Sequence, residues 1–309
     1  MKFGIHSPSW MYDSGPHDIY EEVKRKVLRA EELGYDWFSV MDHLIQIPRV
    51  GEPEEPFMES WTVLAALAAV TRRIRLATLV TSVAYRNPAL LAKMAAGIDI
   101  ISGGRLTFGI GAGWYAREYN QYGYVFPEKP VVRIRQMEEA VRLIKAMWTE
   151  PRATFHGKTF SVDDAILEPK PVQKPHPPIM IGGSGEQLTL RALARVGNAC
   201  NIFGDPDTVR HKLEVLRRHC DAERRDFDEI ERTNLTTMLI ARDEEAVRAK
   251  RQRLGVPETF SGHAVTPSQA IDVVGRYRDV GVHIFMCSFY KNDRETMEIL
   301  ASDVMPLFR

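Results

Sequence analysis

An α/β fold closed into a (β/α)8 barrel is the architecture that three features of this 309-residue sequence predict. Strand-like and helix-like segments alternate eight times from end to end. Apolar runs such as Ile179, Met180 and Ile181 are too uniform for a half-exposed strand and suit a parallel sheet covered on both faces. Glycines stand where helix C-terminal caps belong, at Gly34, Gly103, Gly197 and Gly281. Eight alternations in a chain of this length favour a closed barrel over an open doubly wound sheet.

The strands read at residues 2–6, 37–41, 75–81, 106–110, 179–182, 199–203, 234–241 and 283–288. Between the first two, Ile19, Val23, Val27, Ala30 and Leu33 recur at helical spacing, and the fourth helix repeats the pattern with Ile134, Met137, Val141, Ile144 and Trp148. After the fifth strand, Gly182, Gly183 and Gly185 allow a tight turn and close approach of a ligand, while Ser184 is placed to cap a helix starting near Glu186. Free amides at that helix start would favour a phosphate, although any strand-to-helix turn tolerates glycine. Two stretches interrupt the repeat, as insertions after strands four and seven. Residues 149–178 hold a hairpin, ATFHGKTFSV, turning at His156-Gly157, and then the extended proline-rich run EPKPVQKPHPP. Residues 254–267 form the other. No low-complexity tract or second domain is evident, so residues 1–309 read as one unit.

Forty-one basic residues balance forty-one acidic ones, without a basic run long enough to neutralise several phosphates, which argues against nucleic acid or an anionic membrane as the main partner. Three widely spaced cysteines, Cys200, Cys220 and Cys287, contain no Cys-x-x-Cys pair and read as buried thiols in a reducing compartment. MKFGIHSPSW reads as a first strand and not a signal peptide, and no segment reaches transmembrane length, so a cytoplasmic protein is expected.

In a (β/α)8 barrel the reactive residues lie at the C-terminal ends of the strands. Those ends here are polar or glycine-rich: His6-Ser7, Asp42-His43, the run Thr78 to Ser82, then Gly109, Gly111 and Gly113, the Gly-Gly-Ser-Gly turn, Asn201 with Phe203, and Cys287-Ser288. Asp42 and His43 are the one adjacent acid and imidazole at a strand end, suited to proton transfer, with a purely structural Asp42 as the alternative. His6, Asp42 and His43 lack a fourth ligand and no strand carries His-x-His, so no metal is expected. No Gly-x-Ser-x-Gly elbow occurs. The run GIGAG lacks the rest of a dinucleotide fingerprint and is read as a wall that lets a flat ring approach the backbone. Trp114, Tyr115 and Tyr119 are aromatic lining or core.

Three blocks, ESWTVLAALAAVTRRIRLATLVT, NPALLAKMAAGIDIISGGRLTFGIGAGW and PKPVQKPHPPIMIGGSGEQLTLRALARVGNACNIFG, make the chain resemble the bacterial luciferase-like superfamily of flavin- and deazaflavin-dependent oxidoreductases, in particular its coenzyme F420 branch. The resemblance implies that Asp42 and His43 occupy the family's deazaflavin-facing and catalytic pair. It implies further that Thr78 and Leu79 lie on a strand-three bulge with a non-prolyl cis peptide behind the ring, with Thr81 beside it. Gly182, Gly183, Ser184 and Gly185 would receive the cofactor phosphate, and Asn201 would line the cofactor site. The chain departs from the alcohol and sugar-phosphate enzymes of this superfamily: Ile47 and Trp114 stand where a tryptophan and a glutamate assist proton transfer, and Asp205 where a lysine grips phosphate. The resulting expectation is hydride transfer between F420 and a small organic substrate in a cytoplasmic homodimer. An FMN-dependent monooxygenase is the alternative, and a non-catalytic flavin-binding barrel the third reading.

Overall fold

Eight parallel strands close into a barrel in the computed structural model, which describes residues 1–309. In chain order the strands are β1 (Lys2–Ser7), β2 (Trp37–Val40), β3 (Arg75–Thr78), β4 (Thr81–Ser82), β5 (Leu106–Gly111), β6 (Ala153–His156), β7 (Ser161–Ala165), β8 (Ile179–Gly182), β9 (Ala199–Phe203), β10 (Glu231–Ile240), β11 (His263–Val265) and β12 (Ile284–Phe289). The barrel runs β1-β2-β3-β5-β8-β9-β10-β12, and β12 returns to β1. The helices are α1 (Ile19–Glu32), α2 (Ser60–Val70), α3 (Pro88–Ser102), α4 (Ala116–Gln121), α5 (Pro130–Thr149), α6 (Thr189–Val196), α7 (Pro206–Ala222), α8 (Glu244–Leu254), α9 (Pro267–Asp279) and α10 (Arg294–Ile299). The fold class expected from the alternation is therefore the one observed.

Local chemistry explains where the elements begin and stop. The Asn87 side chain accepts from the amides of Ala89 and Leu90, Pro88 takes the first helical position, and Gly103 ends α3 with φ 66°. Thr266 and Gln269 form a reciprocal capping box at α9. Gly34 and Gly281 adopt left-handed backbone after α1 and α9. Gly197 follows α6 in extended backbone, φ −94°, and so ends that helix without the left-handed cap expected of it.

Strand alternation separates two cores. A cluster of 67 buried residues fills the layer between strands and helices, whereas seven, including Trp37, Leu79, Met180, Ile284 and Met286, plug the bore. The barrel is thus a filled scaffold, open to chemistry at its C-terminal rim.

Three further sequence expectations need correction. The third strand is not continuous over residues 75–81: it breaks after Thr78 and resumes as the short β4, which pairs with β5. The helix after β8 starts at Thr189 and not near Glu186, because Gly185 to Leu188 form a separate turn whose Gly185 carbonyl accepts from Thr189 and Leu190. The hairpin β6–β7 lies inside the first insertion as expected, but its turn covers residues 157–160, where the amides of Lys158, Thr159 and Phe160 bind the Glu139 carboxylate. The second insertion contains a strand, β11, that extends β10 at the edge of the barrel.

Candidate active site

The site is organised by the interruption of strand three. The Leu79–Val80 peptide is cis, one residue beyond Thr78-Leu79, the pair assigned to the bulge. Thr78 and Thr81 lie fully buried behind it: Thr81 Oγ1 donates to Thr78 Oγ1 at 3.2 Å, and Thr78 Oγ1 donates to the Gly109 carbonyl at 2.9 Å. Their hydroxyls therefore hold the bulge, and Leu79 and Val80 are the side chains turned toward the bore. This displaced backbone explains the glycines opposite. A Cβ on Gly109 would lie 2.0 Å from the Thr78 carbonyl oxygen, and Cβ atoms on Gly111 and Gly182 would lie 2.8 and 2.3 Å from Val80 Cγ2. Gly109 and Gly111 of the GIGAG run thus make room for the bulge, and Gly113 for Tyr119 and Ser82.

Asp42 follows β2 and is almost completely buried. Arg86 grips it with two bonds, 2.8 and 3.0 Å, and also reaches Glu59, the N-cap of α2. Trp61 Nε1 approaches Asp42 at 3.3 Å and donates to Thr81 Oγ1 at 2.8 Å. Burial works against the Arg86 charge, but Asp42 and Glu59 hold its pKa above the ordinary value. Both Asp42 oxygens are engaged by the guanidinium, which joins the strand-two end to the loop after β4. Asp42 thus positions its neighbour, and the assignment of proton transfer to Asp42 does not suit these partners.

His43 is differently placed. Its Nδ1 lies 2.6 Å from Glu118 Oε2, while Nε2 has no protein partner. Glu118 comes from α4, is fully buried, and accepts four bonds. Tyr85 Oη donates to Oε2 at 2.5 Å, and the amides of Leu44 and Ile45 donate to Oε1 at 2.5 and 3.3 Å. A carboxylate accepts only, so this pairing puts a proton on His43 Nδ1 and leaves Nε2 for chemistry. Burial and then the Glu118 charge push the Tyr85 phenol far above its usual range, so it stays a donor. Trp114 and Tyr115, stacked on each other, stand edge-on to the imidazole at 5.8 and 6.3 Å. Tyr119, by contrast, is core: it is fully buried and bonds Ser82 Oγ at 2.6 Å.

The third part is the turn after β8. Gly183 has φ +97°, and the amides of Gly183, Ser184, Gly185, Glu186, Gln187 and Leu188 donate to no acceptor in the protein. Ser184 caps no helix here, since α6 begins five residues later. Glu186 anchors the turn to α7 through Lys212 Nζ at 2.6 Å and His211 Nε2 at 3.1 Å, and its carbonyl accepts from His219 Nε2. Six consecutive free amides on a fixed turn suit a phosphate, which is the fit test for a phosphate-bearing cofactor.

The luciferase-like monooxygenase family matches residues 1–293. The chain belongs to the luciferase-like monooxygenase family. An FMNH(2)-dependent dimethylsulfone monooxygenase from Pseudomonas putida is 27% identical over 289 residues, covering 81% of this chain and 78% of that protein. An F420-dependent glucose-6-phosphate dehydrogenase from Amycolatopsis mediterranei is 26% identical over 263 residues, covering 84% and 76%. The solved structure of an F420-dependent secondary alcohol dehydrogenase in complex with an F420-acetone adduct shares the fold, with a TM-score of 0.81 over 100% of both chains at 23% identity. This luciferase-like protein is accordingly an oxidoreductase that uses a flavin or a deazaflavin. No helix is long and apolar enough to cross a membrane.

Within the luciferase-like barrel, Asn201 lies below the rim and is almost fully buried; its amide donates to Thr233 Oγ1 and the Asn234 carbonyl, both at 2.8 Å. That placement ties β9 to β10 and leaves only Oδ1 unpaired. Asp205, standing where a phosphate-gripping lysine was sought, accepts from the Thr208 amide as the N-cap of α7. Glu118 lies four residues beyond Trp114, the position that matches the glutamate of the alcohol and sugar-phosphate enzymes, and so is not marked by that resemblance. The signal available was a lone acid followed by Tyr119 on a short helix, and nothing local connects it to His43, 75 residues away. Arg86 and Tyr85 were missed for the same reason.

Proposed function

We propose that this protein is an F420-dependent oxidoreductase that moves a hydride between the deazaflavin and a small organic substrate, with His43 as its proton-handling residue. The observation that carries the proposal is the 2.6 Å contact of His43 Nδ1 with buried Glu118, which leaves Nε2 unpaired. A bound deazaflavin supplies a ring carbon that gives or takes a hydride, a two-electron step. The amides of Gly183 to Leu188 would hold its phosphate, and Leu79 with Val80 would back one face of its ring. Glu118 keeps the His43 ring oriented and its Nδ1 protonated, so Nε2 accepts or returns the proton that accompanies hydride transfer. Asp42, clamped by Arg86, fixes the chain on which His43 sits. The ordered His43–Glu118 pair argues against a barrel that has lost turnover.

The dimethylsulfone monooxygenase relative favours a second reading, an FMN-dependent monooxygenase on the same site. The proposal extends to a homodimer, for which exposed Leu90 and Ile101 on α3 offer apolar surface; sedimentation equilibrium tests it. Titrating purified protein with F420 and with FMN, each followed by cofactor fluorescence, separates the two readings. Binding of F420 without FMN, with no oxygen uptake on reduction, is expected. Preference for FMN with oxygen uptake overturns the hydride-transfer reading, and binding of neither overturns both. His43→Ala should keep cofactor affinity and lose turnover; full turnover would remove His43 from its role.

A further inference from the structure

From β10, opposite the strand-three bulge, round through β12 and β1 to β2, which pairs with β3, the inner wall carries a belt of polar side chains. Alternation from bore-plugging residues sets their direction. Trp37, Ile284 and Met286 belong to the inner cluster and Leu235 packs on it, so Ser39, Thr237 and Ser288 also face inward. A Cβ on Gly4 would strike Met286 Sδ and Trp37 Cβ, which makes Gly4 inward-facing and His6 with it. The strand registers align them: Thr237 opposes Ser288, His6 opposes Ser39, and Ile5 opposes Cys287, which carries His6 beside Ser288. Two bonds stitch the belt, Thr237 Oγ1 to Ser288 Oγ at 2.9 Å and His6 Nδ1 to Ser39 Oγ at 3.0 Å.

His6 is the centre of this belt. Its Nε2 has no protein partner, yet it is not among the polar atoms sealed away from solvent, so it is open at the C-terminal end of the barrel. Burial, with the nearby charges of Lys26 and His43, pulls its pKa down to about 3, so the ring is neutral at physiological pH. Lys26 does not face the bore: its Nζ bonds Ser7 and Asn292 behind the wall. The belt therefore offers hydrogen bonds without a charge. The imidazole can offer either a donor or an acceptor at Nε2, because Ser39 Oγ can direct its proton to Nδ1 or to the Ile5 carbonyl.

We propose that His6, supported by Ser39 and flanked by Ser288 and Thr237, is a substrate-positioning residue that selects an uncharged organic molecule bearing a hydroxyl or carbonyl group. An anionic substrate would meet no counter-charge on this wall and would lose hydration for nothing. Beside the belt, past β2, Leu79 and Val80 turn apolar side chains to the bore, so polar recognition falls to the arc from β10 through β12 and β1 to β2. This inference rests on the cofactor ring lying against the bulge.

The test uses the cofactor-loaded protein with cyclohexanone and cyclohexanol as neutral probes and cyclohexanecarboxylate as the anionic one. Ligand-detected NMR gives their dissociation constants, and cofactor fluorescence is titrated in parallel. The neutral probes should bind in preference to the carboxylate. His6→Phe should weaken them about tenfold, the weight of one hydrogen bond, while His6→Gln, which keeps a donor and an acceptor, restores most of the affinity. Thr237→Val, at a half-exposed position, serves as the second variant and should weaken them in the same direction. Equal affinity in wild type and His6→Phe, preference for the carboxylate, or binding of no probe overturns the proposal. Failure of wild-type protein to bind either cofactor is a different result: it overturns the functional reading, and the inference falls with it.

Discussion

Replacing Glu118 probes both the stability of the site and the chemistry of His43. In Glu118→Ala, four donors lose their acceptor together: His43 Nδ1, Tyr85 Oη and the amides of Leu44 and Ile45. A buried donor left unpaired costs ~1–3 kcal/mol, and the two amides cannot turn away, so a loss of about 4 kcal/mol is expected. That is a large part of the ~5–15 kcal/mol that holds a domain together. Glu118→Gln separates the effects. Its carbonyl oxygen must stay on the Leu44 and Ile45 amides, which turns the NH2 group toward Tyr85 Oη and His43 Nδ1. Tyr85 can become an acceptor by rotating its hydroxyl hydrogen, but His43 must give up its Nδ1 proton and carry it on Nε2. The stability cost should then be only about 1–2 kcal/mol, while the atom left for chemistry has the wrong protonation. Urea denaturation measures the first quantity, and imidazole 15N chemical shifts report the second. An unchanged Nδ1–H tautomer in Glu118→Gln, or turnover equal to wild type, would refute the argument that Glu118 sets the state of His43.

Three other perturbations test the surrounding structure. Arg86→Leu strands the buried Asp42 carboxylate without its bidentate partner and should lower stability by about 3–5 kcal/mol in denaturant titrations, whereas a change below 1 kcal/mol, on the scale of an exposed pair, would show the pair to be dispensable. Gly182→Ala puts a Cβ 2.3 Å from Val80 Cγ2, so roughly 1–3 kcal/mol of overpacking is expected, and Gly109→Ala should cost more because its Cβ meets the Thr78 backbone, which cannot swing aside; equal, wild-type melting of both would argue that the glycines serve something other than the bulge. The third concerns pH. His6 has a folded pKa of about 3 against 6.5 when free, so the unfolded chain binds the extra proton between those values, and this part of the stability is complete above pH 6.5 and falls as pH drops toward 3. From pH 7 to pH 5 that is about 2 kcal/mol, and His6→Gln should reduce the wild-type difference in unfolding free energy by that amount, as urea titrations at the two pH values will read.

The barrel was legible because its determinants are local. Apolar runs, helical spacing and the glycines after α1, α3 and α9 act within a few residues, so strand and helix order follow from the sequence alone. The adjacency of Asp42 and His43, and the glycines of the turn after β8, are local in the same sense. What local pattern could not supply is the meaning of those residues. Asp42 reads as half of a reactive pair until Arg86, 44 residues on, is seen to occupy both its oxygens. The glycines of β5 read as a wall for a ring until the Thr78 carbonyl and the Val80 side chain are found against Gly109 and Gly111. The start of α6 was misplaced because a turn with free amides and a first helical turn share the same residue preferences.

By itself, the sequence determined the closed barrel, the family resemblance, the strand end that bears His43 and the turn with phosphate-binding potential. Only the tertiary structure decided that Glu118 orders His43, that Asp42 is held by Arg86, and that His6 belongs to a polar wall with Ser39, Ser288 and Thr237. The physical reason is distance along the chain. A hydrogen bond or a cross-strand register joins groups brought together by barrel closure, and the chain between them carries no mark of the pairing.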